Sequence, residues 1–209
     1  MGHVVLLGDS IFDNAAYVAG APDVVRQVRQ RLPAGVKATL AAVDGHTTRD
    51  VHDQLRRVPD DATHLVVSVG GNDALGNSDF LGAPARSTAE ALSGLADIGD
   101  GFERGYLAML TAVLAHGLPT AICTVYFPRF PDAALQKVAV AGLTVFNDCI
   151  VRAAFAHGLP LLDLRLICTE EGDYANPIEP SAQGGEKIAR AIAEFVEQEP
   201  PSGRTQVFI

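Results

Sequence analysis

Cysteine is scarce in this chain. Cys123, Cys149 and Cys168 are the only three in 209 residues. They lie in apolar surroundings without Cys-x-x-Cys spacing, which reads as buried thiols in a reducing compartment. No cluster of His, Cys and carboxylate shows ligand spacing, so neither a metal nor another cofactor is expected. Positive charge is short as well: 16 Lys and Arg face 25 Asp and Glu, a net charge of −9. So acidic a surface repels phosphate backbones and anionic lipid, which argues against nucleic acid and membrane as partners. Long apolar runs are missing too, and none approaches the ~18 residues of a membrane span. The N-terminus lacks a basic stretch, an apolar core and a small-residue cleavage site in series. Its apolar residues are therefore expected to form a core strand, and the protein to be cytoplasmic. Repeats, low-complexity tracts and linkers are also absent.

What is present is enough apolar sequence, 48% against 20% charged, to bury a core without staples. One domain over residues 1–199 is expected, with a tail at 200–209 that is frayed or pinned locally. Short β-branched runs alternate with helical patterns. Strands are expected at 4–7, 36–43, 64–69, 120–126 and 159–164. Helices are expected from Pro22 through Leu32, from Thr48 through Leu55, over 88–98 and over 102–116. Asp132 should cap a long helix through His157, stopped by Gly158, and Ser181 a final one. Residues 76–84 read as a loop and 169–180 as irregular. Five β/α units in series predict an α/β protein, a three-layer α/β/α sandwich around a five-stranded parallel, flavodoxin-like sheet. Ligands of such sheets bind outside the C-terminal ends of the strands. Ser10, Gly45, Asn72 and the Phe127 loop all follow strands directly.

Each of these residues has a chemical and a bland reading. Ser10 closes Gly8-Asp9-Ser10; its hydroxyl is a nucleophile if a base takes its proton, or a turn cap if none does. The surrounding Gly8-x-Ser10-x-Phe12 lacks the second glycine of the α/β-hydrolase nucleophile elbow. Gly45 can turn its N–H toward a ligand oxygen, or be an ordinary loop glycine. Asn72 can donate to an oxyanion, or start the next helix through an Asx-turn.

In this order the pieces resemble the SGNH, or GDSL-like, hydrolase family of esterases and lipases. Gly8-Asp9-Ser10-Ile11-Phe12-Asp13-Asn14 is similar to its first block, Gly45 matches the glycine of its second, and Gly70-Gly71-Asn72-Asp73 matches its third closely. The resemblance implies a Ser10 nucleophile and an oxyanion hole made of the Ser10 and Gly45 amides and the Asn72 side chain. It also implies cleavage of esters, thioesters or sugar acetates without a metal. The last block departs from the pattern. Where the family has Asp-x-x-His, this chain has Asn176-Pro177-Ile178-Glu179, and no histidine occurs after His157.

Glu179 can serve as the base if burial raises its pKa from ~4.3 toward ~6–7. Pro177, Ile178 and Pro180 supply apolar surroundings, and Asn176 would orient the carboxylate without adding a second charge. His46, beside Gly45, is a second candidate base. A third reading has no base at all and leaves a binding module that keeps the oxyanion cradle, or a plain scaffold. Asp9, Asn176 and His46 are thus supporting candidates around Ser10, Glu179, Gly45 and Asn72. The other histidines read as structural: His116 and His157 at helix ends, His64 starting a strand, His52 facing solvent. Asp13, Asp73 and Asp163 read as local hydrogen-bond acceptors. Phe80, Leu81, Tyr126, Phe127 and Phe130 can line an acyl pocket or serve as packing anchors. The expected substrate is a small molecule, a short-chain or acetyl ester.

Overall fold

Val4, Val5, Leu6 and Leu7 are all fully buried, which requires a strand covered on both faces. They form the middle of β1 (His3–Gly8). The computed structural model describes residues 2–198 and 204–209. From β1 the chain continues through α1 (Val24–Arg31), β2 (Lys37–Leu40), α2 (Val51–Leu55), β3 (His64–Ser68) and α3 (Gly71–Leu75). It then forms α4 (Thr88–Leu114), β4 (Thr120–Cys123), α5 (Ala133–His157), β5 (Leu161–Leu162), α6 (Leu164–Ile167), α7 (Ala182–Glu197) and β6 (Val207–Phe208). Short 3-10 turns occupy Ser78–Gly82 and Glu171–Asp173. The strands pair in the order β2-β1-β3-β4-β5-β6, every neighbour parallel.

Alternate β1 residues enter opposite layers, as the two-residue period of a strand dictates. Val4 and Leu6 pack with Val24, Val28, Ile188 and Ile192 of α1 and α7. Val5 and Leu7 pack with Met109, Leu110, Phe146 and Ile150 of α4 and α5. The result is the expected three-layer α/β/α sandwich.

The sheet has six strands where five were expected. The extra one lies in the tail, where β6 pairs with β5 and Phe208 is buried edge-on against Phe195. The tail is thus pinned at its end; residues 199–203 fall outside the described residues. The helices expected at 88–98 and 102–116 are one, because Gly99 does not break α4. A Cβ there would stand 2.4 Å from Val145, so this glycine lets α5 approach closely. Thr48 does not cap α2; its hydroxyl donates to Asp73 Oδ1 at 2.7 Å instead, and the helix starts at Val51. Other caps match their sequence signals: the side chain of Asp132 accepts from Leu135 N, Gly158 takes φ +63°, and Ser181 accepts from Gln183 N and Gly184 N.

One expectation about apolar runs is corrected. Helix α5 has 25 residues, and an 18-residue window within it has a mean hydropathy of 1.5, long and apolar enough by length and composition to cross a membrane. Its apolar residues are broken by Gln136-Lys137, Asn147-Asp148 and Arg152, so no uninterrupted run of that length announces it. Leu143, Phe146, Ile150 and Ala154 form the helical stripe that it buries against the sheet.

Candidate active site

The first turn of the site is set by a glycine. Gly8 has φ +131°, and a Cβ there would stand 1.7 Å from the Ser68 carbonyl oxygen of the neighbouring strand. Only glycine fits so close an approach at that φ. Beyond it the backbone folds on itself. Asp9 N donates to Ser68 O at 3.1 Å, and Asp9 O accepts from Phe12 N and Asp13 N, each at 3.2 Å. One Asp9 carboxyl oxygen accepts from Ile11 N at 3.1 Å. Ser10, in the middle of this turn, is buried.

The Ser10 hydroxyl donates to Glu179 Oε1 at 3.0 Å, across 169 residues of chain. The loop that presents Glu179 has little regular structure and is held by side chains from several elements. Asn176 Oδ1 accepts from the N–H groups of Ile178 and Glu179, each at 3.0 Å. It therefore shapes the peptide and does not touch the carboxylate. The Tyr126 hydroxyl donates to Ile178 O at 2.7 Å, Arg129 N to Pro177 O at 2.8 Å, and Asn14 Nδ2 to Pro180 O at 3.2 Å. At the foot of the loop, the buried Asp173 carboxylate accepts from Lys187 Nζ at 2.9 Å.

Burial governs the electrostatics. Glu179 is 5% exposed, and its Oε2 has no hydrogen-bond partner. Loss of solvation pushes its pKa up to about 7, against the downward pull of the Ser10 hydroxyl. Desolvation likewise pushes Asp9 up to about 8, so its carboxyl is mostly neutral at pH 7.

Asn72, the second residue of α3, faces the same cavity as Ser10 and Glu179. One of its amide N–H groups donates to His46 O at 2.9 Å, leaving the other for a ligand. Gly45 sits with φ +80° in the exposed turn after β2. Among the described residues, neither the Ser10 nor the Gly45 backbone N–H has an acceptor. His46 is placed elsewhere: its Nδ1 accepts from Gln54 Nε2 at 2.9 Å, and it does not line the cavity. Thus Ser10 is brought to Glu179 and not to His46.

The cavity has a volume of about 380 Å³. Phe80, Leu81, Tyr126 and Phe130 line it as the sequence allowed, whereas Phe127 packs on the core beneath α4 and α5.

A family model described as the GDSL-like lipase/acylhydrolase family matches residues 6–187. The chain belongs to this family. Membership in the GDSL-like family points to ester hydrolysis, and the matched span includes both Ser10 and Glu179. Among solved structures, an extracellular lipase from Streptomyces rimosus is 18% identical, with a TM-score of 0.65 over 94% of this chain and 98% of that one. The aryl esterase of M. smegmatis is 16% identical, also with a TM-score of 0.65 over 94% of this chain and 98% of its own. A lipase/acylhydrolase from Enterococcus faecalis is 20% identical, with a TM-score of 0.61 over 97% and 100%. At these identities the likeness is one of fold. A sequence search of curated proteins finds no match.

Two residues that no sequence signal marked as important join the halves of this GDSL-like site. Asn14, fully buried, accepts from Val24 N at 2.9 Å while donating to Pro180. It ties the Ser10 turn, the start of α1 and the Glu179 loop together. Gln54 binds Gly8 at both ends, accepting from its N–H and donating to its C=O, each at 2.7 Å. Asn14 lies inside the block that carries Ser10, but its side-chain partners are 10 and 166 residues away, beyond any local pattern.

Proposed function

We propose that the chain is a serine hydrolase that cleaves a small-molecule carboxylic ester, with Ser10 as nucleophile and Glu179 as base. The observation that carries this reading is the 3.0 Å hydrogen bond from the Ser10 hydroxyl to a carboxylate buried enough to have its pKa raised to about 7. A base with a pKa near the working pH is ionised often enough to accept a proton and basic enough to hold it.

In this mechanism Ser10 Oγ attacks the ester carbonyl as its proton passes to Glu179. The carbonyl oxygen becomes an oxyanion, which the Ser10 N–H, the Gly45 N–H and the second Asn72 N–H stabilise. Collapse breaks the bond to the alkoxy oxygen, and Glu179 returns the proton to the departing alcohol. Water then repeats the attack on the acyl-serine: Glu179 takes a proton from the water and gives it back to Ser10 Oγ as the acid leaves. Asp9, neutral near pH 7, adds no second charge beside Glu179. Asn176 orients the base through the backbone. Three buried free thiols support a reducing, cytoplasmic setting as part of the same proposal.

An activated nitrophenyl ester assayed with wild type, Ser10→Ala and Glu179→Gln tests the dyad. Turnover is expected in wild type and should fall at least ~10²-fold in each variant, and a fluorophosphonate should label wild type at Ser10. Turnover kept by Glu179→Gln would reject Glu179 as base. A wild type that neither turns over nor labels would instead favour a binding module with an intact cradle.

A further inference from the structure

The cavity beside Ser10 is far larger than an acetyl group requires. At about 380 Å³ it is roughly two and a half times the ~150 Å³ apolar cavity that holds a benzene ring. Its distant walls are Leu95 and Ile98 of α4, and Ala139, Gly142, Leu143 and Phe146 of α5. They carry no charge and no side-chain hydrogen-bonding group. The 3-10 turn at Ser78–Gly82 roofs it. Phe80 seats over Gly94, where a Cβ would stand 2.6 Å from the ring, and Leu81 lies 3.7 Å from the corresponding point at Gly142. The mouth is apolar too. Leu75, Leu81 and Leu135 line the cavity and are nonetheless exposed, and Leu92 and Val138 are exposed one helical turn away from lining residues.

Direction follows from the layers. The Glu179 loop enters from the side of α1 and α7, whereas the apolar walls belong to the α4 and α5 side. Glu179 must return its proton to the leaving alcohol, so the alcohol lies toward Glu179 and the acyl group points away, between α4 and α5. We propose that this cleft binds an unbranched acyl chain of about six to ten carbons, its length set by the small residues Gly142 and Ala139. The inference rests on the hydrolase reading above and replaces the short acyl group expected from the loops alone.

Nitrophenyl esters from acetate to laurate, and acetates of alcohols of the same lengths, test it. For wild type, kcat/KM should rise about threefold per methylene up to about C8 in the acyl series, and stay flat in the alcohol series. Gly142→Leu should lower the octanoate-to-acetate ratio of kcat/KM at least tenfold. A Cβ at this position of α5 meets nothing closer than 3.7 Å, and leucine is a better helix former than glycine. Ala139→Leu, on the same wall, should move the ratio in the same direction. The ratio is independent of how much protein is folded. Turnover that favours acetate, a rise confined to the alcohol series, or a ratio unmoved by both variants would overturn the chain assignment and leave the hydrolase intact. Absence of turnover at every length would instead remove the hydrolase reading itself.

Discussion

The two partners of the site are positioned by opposite means. Ser10 sits two residues past the end of β1, in a turn closed by backbone hydrogen bonds from Asp9 to Ser68 and from Phe12 and Asp13 back to Asp9. Glu179 sits in a loop held by side chains reaching in from distant elements: Asn14, Tyr126 and, at its foot, Lys187. The Ser10 hydroxyl is therefore located chiefly by main-chain geometry, which Gly8 permits at a place where no other residue fits. The acid is located by separate, replaceable contacts. Side chains brace both segments, Gln54 at Gly8 and Asn14 at Pro180, but the Ser10 turn is closed chiefly by main-chain bonds, whereas the Glu179 loop leans more on side chains.

The strand side should break first. Gly8→Ala forces a methyl group into the Ser68 carbonyl and should cost about 3 kcal/mol or more, read as a large drop in the denaturant midpoint. A wild-type midpoint would mean that β1 and β3 can part locally, and that the nucleophile turn is less fixed than its hydrogen bonds imply. Next in size is Asn14→Leu, which strips partners from Val24 N and Pro180 O in a fully buried place. It should cost about 2 kcal/mol and also lower kcat, since the link between the two loops is lost. Lost stability with unchanged kcat would show that the Glu179 loop holds itself.

A third effect concerns charge, and it vanishes at low pH. The Glu179 pKa lies above its unfolded value, at about 7 against 4.5. The folded state therefore favours the protonated form, and the stability contributed by Glu179 is full below about 4.5 and declines as pH rises through 7. Glu179→Gln keeps an acceptor for Ser10 and removes that decline. The variant should match wild type near pH 4.5 and exceed it by about 3 kcal/mol at pH 8, measured by urea unfolding. A variant less stable than wild type at pH 8 would mean that the carboxylate is well solvated or paired with a cation. Asp9, raised from 3.8 to about 8, should cost both proteins stability as pH rises from about 4 to about 8, with no further loss above that pH.

Much of this was legible in the chain because it is local. Runs such as His64–Ser68 bury both faces of a strand, and Asp132 and Ser181 announce the helices they cap. The glycines were harder. Gly99 lies in the gap between the helices expected at 88–98 and 102–116, and the reason for a glycine there, the approach of Val145, comes from another helix. Strand β6 is two residues long and gets its place from pairing with β5 and from Phe195, which no periodicity encodes. At the site, Ser10, Asn72 and Glu179 could be named from motif order. The braces could not, since Asn14 and Tyr126 act on carbonyl oxygens of other segments and any residue supplies a carbonyl. The apolar character of α5 is not announced by a continuous stretch, because polar residues interrupt it at 136–137, 147–148 and 152.

Gln54 has a consequence for how the crevice opens. A primary amide carries the same donor and acceptor as a peptide link, and at Gly8 this one side chain serves both. Val43 N, past the end of β2 at Leu40, also donates to Gly8 O at 3.2 Å, so it is at the Gly8 N–H that Gln54 alone does the work of a neighbouring strand. The chain beyond Val43 can then swing out as the arch that carries Gly45, without leaving the Gly8 N–H bare.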